Sequence, residues 1–365
     1  MSKNTKKIKV GLTSNHGENI WGNGLGQNVW NLYRLLKKAG FDVSCVSEGQ
    51  KIAGKKLIST KIKPLIKETA KKYDIIIEVV HGLTTDFADY YVNTGGKIAG
   101  VQYGNNLLIH TEDFLFRPEK LPKHETRRHE IWTSPHYEFA IPAYKALEKI
   151  PVHVCPYIWD SDIFDVYCRA KKYDPFFKQG QEINSLAMFE PNLNMVKTST
   201  IPILIIESYF DSIGKYDKDV YVFGALKLKD NNMFQDFIQK LNVFKHRKIS
   251  FEGRWHTPYA MHKGLSDLIV SHQWENHLNY LQLETMYTNR PCVHNNPRLK
   301  EYGFYYDMFD VDAGREQLSI ALETHSDNFK ETSEMNKEKL WDYNPLNQKN
   351  VDAYAELITN LVETK

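Results

Sequence analysis

Leu268-Ile269-Val270-Ser271-His272-Gln273-Trp274-Glu275-Asn276, followed by Glu284 and then Asn289-Arg290-Pro291-Cys292-Val293, is the stretch on which the fold of this chain turns. Its leading residues are apolar, the pattern of a buried strand. A polar, acidic turn comes next, then a helix carrying one carboxylate, then a second apolar run behind a proline. Strand, loop, helix, strand is the repeating unit of an open parallel α/β sheet, whose ligands sit outside the carboxyl ends of the strands. Two acidic groups in that place can each grip a pair of neighbouring hydroxyls, and a nucleotide sugar offers such pairs on both ribose and hexose. The competing reading is a capped surface helix with two solvated glutamates.

The same alternation extends in both directions. Ser185 to Phe189, Val220 to Phe223, Ile249 to Phe251 and Cys292 to His294 read as strands, and Met233, Phe234, Phe237, Ile238 and Leu241 form one helical stripe between them. Nearer the start, Lys7 to Leu12 reads as a strand, and Val29, Leu32, Tyr33 and Leu36 share one face of a helix that Gly40 stops. Phe41 to Val46 alternates like a strand, while Asp74 to Val80, Lys97 to Tyr103 and Val152 to Cys155 read as strands covered on both faces. These runs predict an α/β protein with two Rossmann-like domains, at 1–165 and 166–345. A final helix at 346–365 carries Ala353, Leu357, Ile358 and Leu361 at helical spacing and is expected to pack back towards the first domain.

Composition narrows the classes. With 365 residues the chain is too long for one ordinary core. A net charge of +2 argues against a dedicated nucleic-acid coat and leaves room for a local basic patch. No apolar run reaches membrane-spanning length, and the Lys-rich start lacks a secretory signal, so a cytoplasmic protein is expected. The cysteines Cys45, Cys155, Cys168 and Cys292 are scattered and imply neither a disulfide framework nor a zinc site.

Several landmarks resemble glycosyltransferase family 4, of the GT-B fold, in which two Rossmann-like domains face each other across a cleft. A glycine-rich loop, Trp21-Gly22-Asn23-Gly24-Leu25-Gly26-Gln27, precedes the first helix. Pro156-Tyr157-Ile158-Trp159-Asp160 stands where the family closes its first domain. Phe189-Glu190-Pro191-Asn192 with Lys197 opens the second, and Phe251-Glu252-Gly253-Arg254 matches a Phe-x-Gly-Arg element. Glu275 and Glu284 resemble the family's paired glutamates, with eight residues between them instead of seven, which leaves Asn276 an alternative to Glu275. The elements Phe-Glu-Pro-Asn and Ser-His-Gln-Trp-Glu-Asn also resemble a bacterial and phage family of uncharacterised glycosyltransferase-like proteins.

The resemblance implies transfer of a sugar from a nucleotide-sugar donor to a hydroxyl, with the acceptor in the first domain and the donor in the second. The departing diphosphate needs fixed cations and backbone N–H groups, and Lys197 and Arg254 are the candidates. Glu284 is expected on the ribose hydroxyls, and Glu275 or Asn276 on the transferred sugar. Gly24, Asn192, Asn194, His272 and Trp274 complete the donor set. Nine residue steps of a continuous helix would put Glu275 and Glu284 on opposite faces, so Glu275 is expected in the loop before the helix. His110 is the candidate base, among His16, Glu18, His81 and Asp113 in strand-end loops, and the family leans towards retention of configuration. His16, Glu18, Arg127 and Arg128 are the acceptor-side candidates. Arg117, Lys120, Lys123, Arg127 and Arg128 form a basic run, read either as a solvated face or as a grip on duplex DNA carrying hydroxymethylated bases. A cell-surface glycan is the other acceptor. No metal is expected, because Asp160/Asp162 and Asp310/Asp312 fall at helix starts, where Asp caps. A nucleotide-sugar epimerase and a non-catalytic nucleotide-sugar-binding protein are the rivals. A nicotinamide-dependent dehydrogenase is disfavoured, since the glycine loop lacks the Gly-x-Gly-x-x-Gly spacing.

Overall fold

Lys9–Thr13 forms a strand, and Leu25–Lys38 a helix whose Val29, Leu32 and Leu36 are fully buried on one stripe. Gly40 ends the helix at φ 91°, a conformation only glycine adopts without penalty. The chain then returns as Asp42–Glu48, pairing parallel with Lys9–Thr13. This computed structural model describes residues 7–14, 24–49, 56–79, 81–117 and 127–364.

The chain divides into two compact units, Met1–Ile163 with Trp341–Lys365, and Phe164–Leu340. Among the described residues of the first unit, a sheet of seven parallel strands runs in the order Lys63–Leu65, Asp42–Glu48, Lys9–Thr13, Ile75–Glu78, Lys97–Gln102, Glu130–Thr133, Val152–Val154. The order reverses between Lys9–Thr13 and Ile75–Glu78. Ile75, Ile76 and Ile77 are fully buried, as a strand covered on both faces requires. The helix Gln348–Glu363 belongs to this unit, and it buries Val351, Tyr354, Ile358 and Leu361, while Ala353 and Leu357 are only partly covered. Tyr354 lies edge-on to Trp132 at 6.3 Å and donates its hydroxyl to Pro156 O at 2.9 Å. Each large apolar side chain buried here contributes about 1.5–3 kcal/mol.

The second unit repeats the plan with six parallel strands: Ile249–Phe251, Asp219–Val222, Ser185–Met188, Leu268–Ser271, Cys292–His294, Phe304–Tyr305. By position along the chain this is the order 3-2-1-4-5-6 of a doubly wound Rossmann sheet, with its switch point between Ser185–Met188 and Leu268–Ser271. Leu186, Met188, Ile203, Ile206, Phe210, Val222, Leu268, Val270 and Val293 fill its core. The helical stripe at 233–241 needs correction. The helix is Asn232–Gln239, Met233 is 79% exposed, and Leu241 lies beyond its end. The four cysteines are buried, unpaired thiols, pushed up to about 12 by burial. Among the described residues no helix is long and apolar enough to cross a membrane.

Candidate functional site

Two loops meet at the switch point of the second unit. One leaves Ser185–Met188 and spans residues 189–199 before the helix Thr200–Ile213; the other leaves Leu268–Ser271 and spans 272–279 before the helix Tyr280–Tyr287. The first loop is folded by Asn192, which adopts φ 52°. Its Nδ2 donates to Glu190 O at 2.7 Å and Ser199 Oγ at 3.0 Å, and its Oδ1 accepts from Ser199 N at 2.9 Å. The Asn192 amide is therefore spent inside the loop, and what it offers a ligand is the shape of that loop. Gly224 makes room beside it, since a Cβ there would meet Glu190 O at 3.1 Å and its φ is +77°.

The second loop is clamped from the next strand end. Asn295 pairs with the Gln273 backbone in both directions, accepting from its N–H at 2.9 Å and donating to its C=O at 2.8 Å. Asn296 Nδ2 donates to His277 O at 3.1 Å and to Gln282 Oε1 at 2.7 Å. Within the clamped loop Glu275 sits at φ 47°, a strained conformation for a non-glycine residue that costs on the order of 1 kcal/mol or more. Glu275 thus precedes the helix, while Glu284 lies within it.

The loops are joined directly. Trp274 N donates to Val196 O at 3.0 Å, and Lys197 Nζ reaches Leu278 O at 3.4 Å. Glu190, 1% exposed, accepts from Ser271 Oγ at 2.8 Å, His272 N at 3.1 Å and Gln273 Nε2 at 2.6 Å. Burial pushes its carboxyl up to about 7, against the pull of those donors and of Lys197. Lys197 is half-buried and precedes the helix, so it is not a first-turn surface lysine. Burial lowers its pKa, the Glu190 charge raises it, and the Arg254 charge lowers it further. Arg254 is exposed as a residue, and partial shielding of its guanidinium lowers its pKa.

The remaining candidates occupy the same loops or their flanks. His272 is 2% exposed and rests between Tyr306 and Phe309, with ring centroids at 6.1 and 4.9 Å. Tyr306 Oη donates to Ser271 O at 3.2 Å, so its lone pairs face His272 Nδ1 at 3.0 Å. That network assigns the proton to Nδ1 and leaves Nε2 an acceptor. Burial holds His272, His277 and His294 down at about 4, hence neutral. Trp274 meets Phe309 edge-on at 5.8 Å, Asn276 is 5% exposed, and Asn194 Oδ1 is a buried acceptor. Glu284, 3% exposed, is pushed up to about 8 by burial, with Thr257 hydrogen-bonding to it.

The first-unit candidates fall differently. His16 and Glu18 lie outside the described residues, as do Lys120 and Lys123, and Gly24 stands immediately before the first helix. His110 and Asp113 are not in a strand-end loop; both lie on the helix Asn106–Phe116, which Asn105 caps by accepting from Leu108 N at 3.2 Å. Arg117 pairs with Glu112 and Asp113, both at 3.0 Å, Arg127 with Asp89 at 2.7 Å, and Arg128 with Glu78 at 2.6 Å. These arginines have their charge met within the unit. Asp160 pairs with Arg34, and Asp310 caps the helix Val311–Thr324 through Ala313 N. Sequence reasoning missed Glu190, Asn295, Asn296 and Tyr306. Only Glu190 carried a signal, an acidic residue ahead of a proline at a strand end.

A family model described as protein of unknown function (DUF2827) matches residues 8–358. No curated relative matches the sequence. Among solved structures the chain is similar to a glycosyltransferase from Rickettsia africae ESF-5, with a TM-score of 0.60 at 13% identity, covering 97% of this chain and 99% of that one. It is similar to an α-glucosyltransferase in complex with UDP and a 13-mer DNA containing an HMU base, with a TM-score of 0.58 at 12% identity over 98% and 100% of the two chains. Anabaena HepE in complex with UDP-glucose gives a TM-score of 0.58 at 10% identity over 97% and 100%. At such identities the likeness is one of fold, and that fold is GT-B.

Proposed function

Since the chain belongs to the DUF2827 family, we propose its activity from the second unit: a glycosyltransferase that takes a UDP-sugar at the switch point and moves the sugar to a hydroxyl. The observation that carries this reading is a pair of partly shielded cations that follow strand ends of one parallel sheet, Lys197 and Arg254, with the Arg254 charge lowering the basicity of Lys197. Like charges held together in a shielded place lower each other's basicity, and a diphosphate relieves both. UDP is assigned because two of the similar structures hold UDP or UDP-glucose.

In this reading Lys197 and Arg254 neutralise the departing diphosphate. Glu284 takes the ribose hydroxyls, and Glu275, Asn276 and the bare Nε2 of His272 hold hydroxyls of the sugar. Asn194 and Trp274 line the donor, and Asn192 shapes its loop. On the acceptor side His110 is the base, and His16 and Glu18 are the further acceptor-binding candidates. The pairing of Arg117, Arg127 and Arg128 with carboxylates supports a glycan acceptor over duplex DNA. Transfer is metal-independent, a reading supported by the Asp-x-Asp pairs, whose Asp160 and Asp310 are engaged with Arg34 and a helix N-terminus. Retention of configuration follows the family 4 resemblance.

The test is a panel of nucleotide sugars assayed for slow hydrolysis, repeated with glycan and hydroxymethylated DNA acceptors and read by product mass. A UDP-sugar is the expected donor. UDP bound but never released from any donor would turn the reading to a non-catalytic binder, and product formed without an acceptor to an epimerase.

A further inference from the structure

Glu190 has no part in the chemistry above, yet its carboxylate accepts three hydrogen bonds where the two loops meet. One oxygen accepts from Ser271 Oγ and His272 N, and the other from Gln273 Nε2, so it ties one strand end to its parallel neighbour. Its own loop is closed on itself. Asn192 donates to Glu190 O through its side chain and to Lys197 O through its backbone N–H at 3.2 Å, drawing positions 190 and 197 together. A neutral glutamine could fill the same space. A carboxylate buried this deeply is costly unless a cation stands near it.

From this geometry we infer that Glu190 is a positioning residue for Lys197, locking its loop to the end of Leu268–Ser271 and setting a buried counter-charge within the joined loops. The inference rests on the donor reading for its purpose, since a neutral amine would not hold a diphosphate. The charged and titratable groups around the pair agree with it. Lys197 feels Glu190 and Arg254 and acts on the neutral His277, while Tyr306 and Cys292 feel Glu190. Of these, Glu190 is the one that favours the charged lysine.

Competitive acetylation of the full chain, read at Lys197 by mass spectrometry across pH, tests the coupling without any ligand. Glu190→Gln should lower the Lys197 midpoint by about one pH unit, a tenfold change in the ratio of charged to neutral amine. Ser271→Ala, which removes one donor and keeps the charge, should leave the midpoint within a few tenths. An unmoved midpoint in Glu190→Gln overturns the inference, as does an equal shift in Ser271→Ala. If Glu190→Gln does not fold, Glu190→Asp decides: withdrawing the carboxylate by one methylene should move the midpoint the same way by less, and no movement overturns it. UDP titration of the same proteins separates the two claims. Lys197→Ala binding UDP as tightly as the wild type would refute the donor assignment, while acetylation would still judge the coupling.

Discussion

The first strand of Met1–Ile163 ends on Thr13, whose hydroxyl donates to His81 O at 3.0 Å and accepts from Val79 N at 3.0 Å. Two residues beyond the first strand of Phe164–Leu340 stands Glu190, spread over Ser271, His272 and Gln273. Both side chains join the first strand end to the fourth across the switch point of a parallel sheet. One does it with a neutral hydroxyl, which is cheap to bury once bonded. The other does it with a carboxylate, and needs three donors and a nearby lysine. The cations differ in the same sense. Arg117, Arg127 and Arg128 have carboxylates of their own, whereas the Glu190 charge raises the basicity of Lys197 and a second cation, Arg254, lowers it. The contrast teaches that a shared fold does not share electrostatics: desolvated charge gathers at the second switch point and is paired off in the first unit.

The sharpest way to break the contrast is Lys197→Ala. Turnover of the best UDP-sugar should fall by about 10²–10³-fold, as for loss of one group stabilising a leaving charge. Release of UDP measures it, and an unchanged rate would remove the special status of the second switch point.

Acid should then separate the units. His272, His277 and His294 have folded pKa values near 4, below the unfolded value of about 6.5. Their contribution is present above pH 6.5 and is lost as pH falls from there through 4, at about 1.4 kcal/mol per unit of depression for each. Hydrogen exchange should show the strands of Phe164–Leu340 losing protection in that window before Ile75–Glu78. Simultaneous loss would blunt the comparison.

Arg128→Ala probes the other side. It leaves Glu78, 3% exposed, without that cation, keeping Leu83 N at 2.7 Å among the described residues. A cost of about 2–3 kcal/mol in urea unfolding is expected, below the full value for a buried pair because Arg128 is partly solvated. The smallest effect belongs to Glu284→Gln. With a folded pKa near 8 against about 4.5 unfolded, the wild type is favoured below 4.5 and loses that advantage as pH rises through 8. Between pH 7 and 9 the variant should gain about 1 kcal/mol relative to the wild type, read from urea midpoints.

Much of the frame was legible because parallel strands buried on both faces are written as unbroken apolar runs, as at Ile75–Glu78 and Leu268–Ser271. Glu130–Thr133 and Phe304–Tyr305 were not, being four and two residues long with polar or aromatic neighbours and no period to read. Met233 fits the apolar stripe and is exposed, since Asn231 starts its helix by capping Phe234 N and the first turn faces solvent. Glu284 and Lys197 carried the family resemblance. Glu190 stood in the same landmark without a role, because its meaning lies in donors 81 to 83 positions further along the chain. Long-range pairing of that kind leaves no local pattern.

The helix Gln348–Glu363 has a consequence for biosynthesis. Val351, Tyr354, Ile358 and Leu361 complete a core begun by Val10 and Leu12, with about 340 residues of chain between them. The unit synthesised first is therefore finished last, while Phe164–Leu340, contiguous in sequence, has all its strands as soon as it clears the ribosome. Until that helix emerges, the early half lacks the four side chains that close its interior.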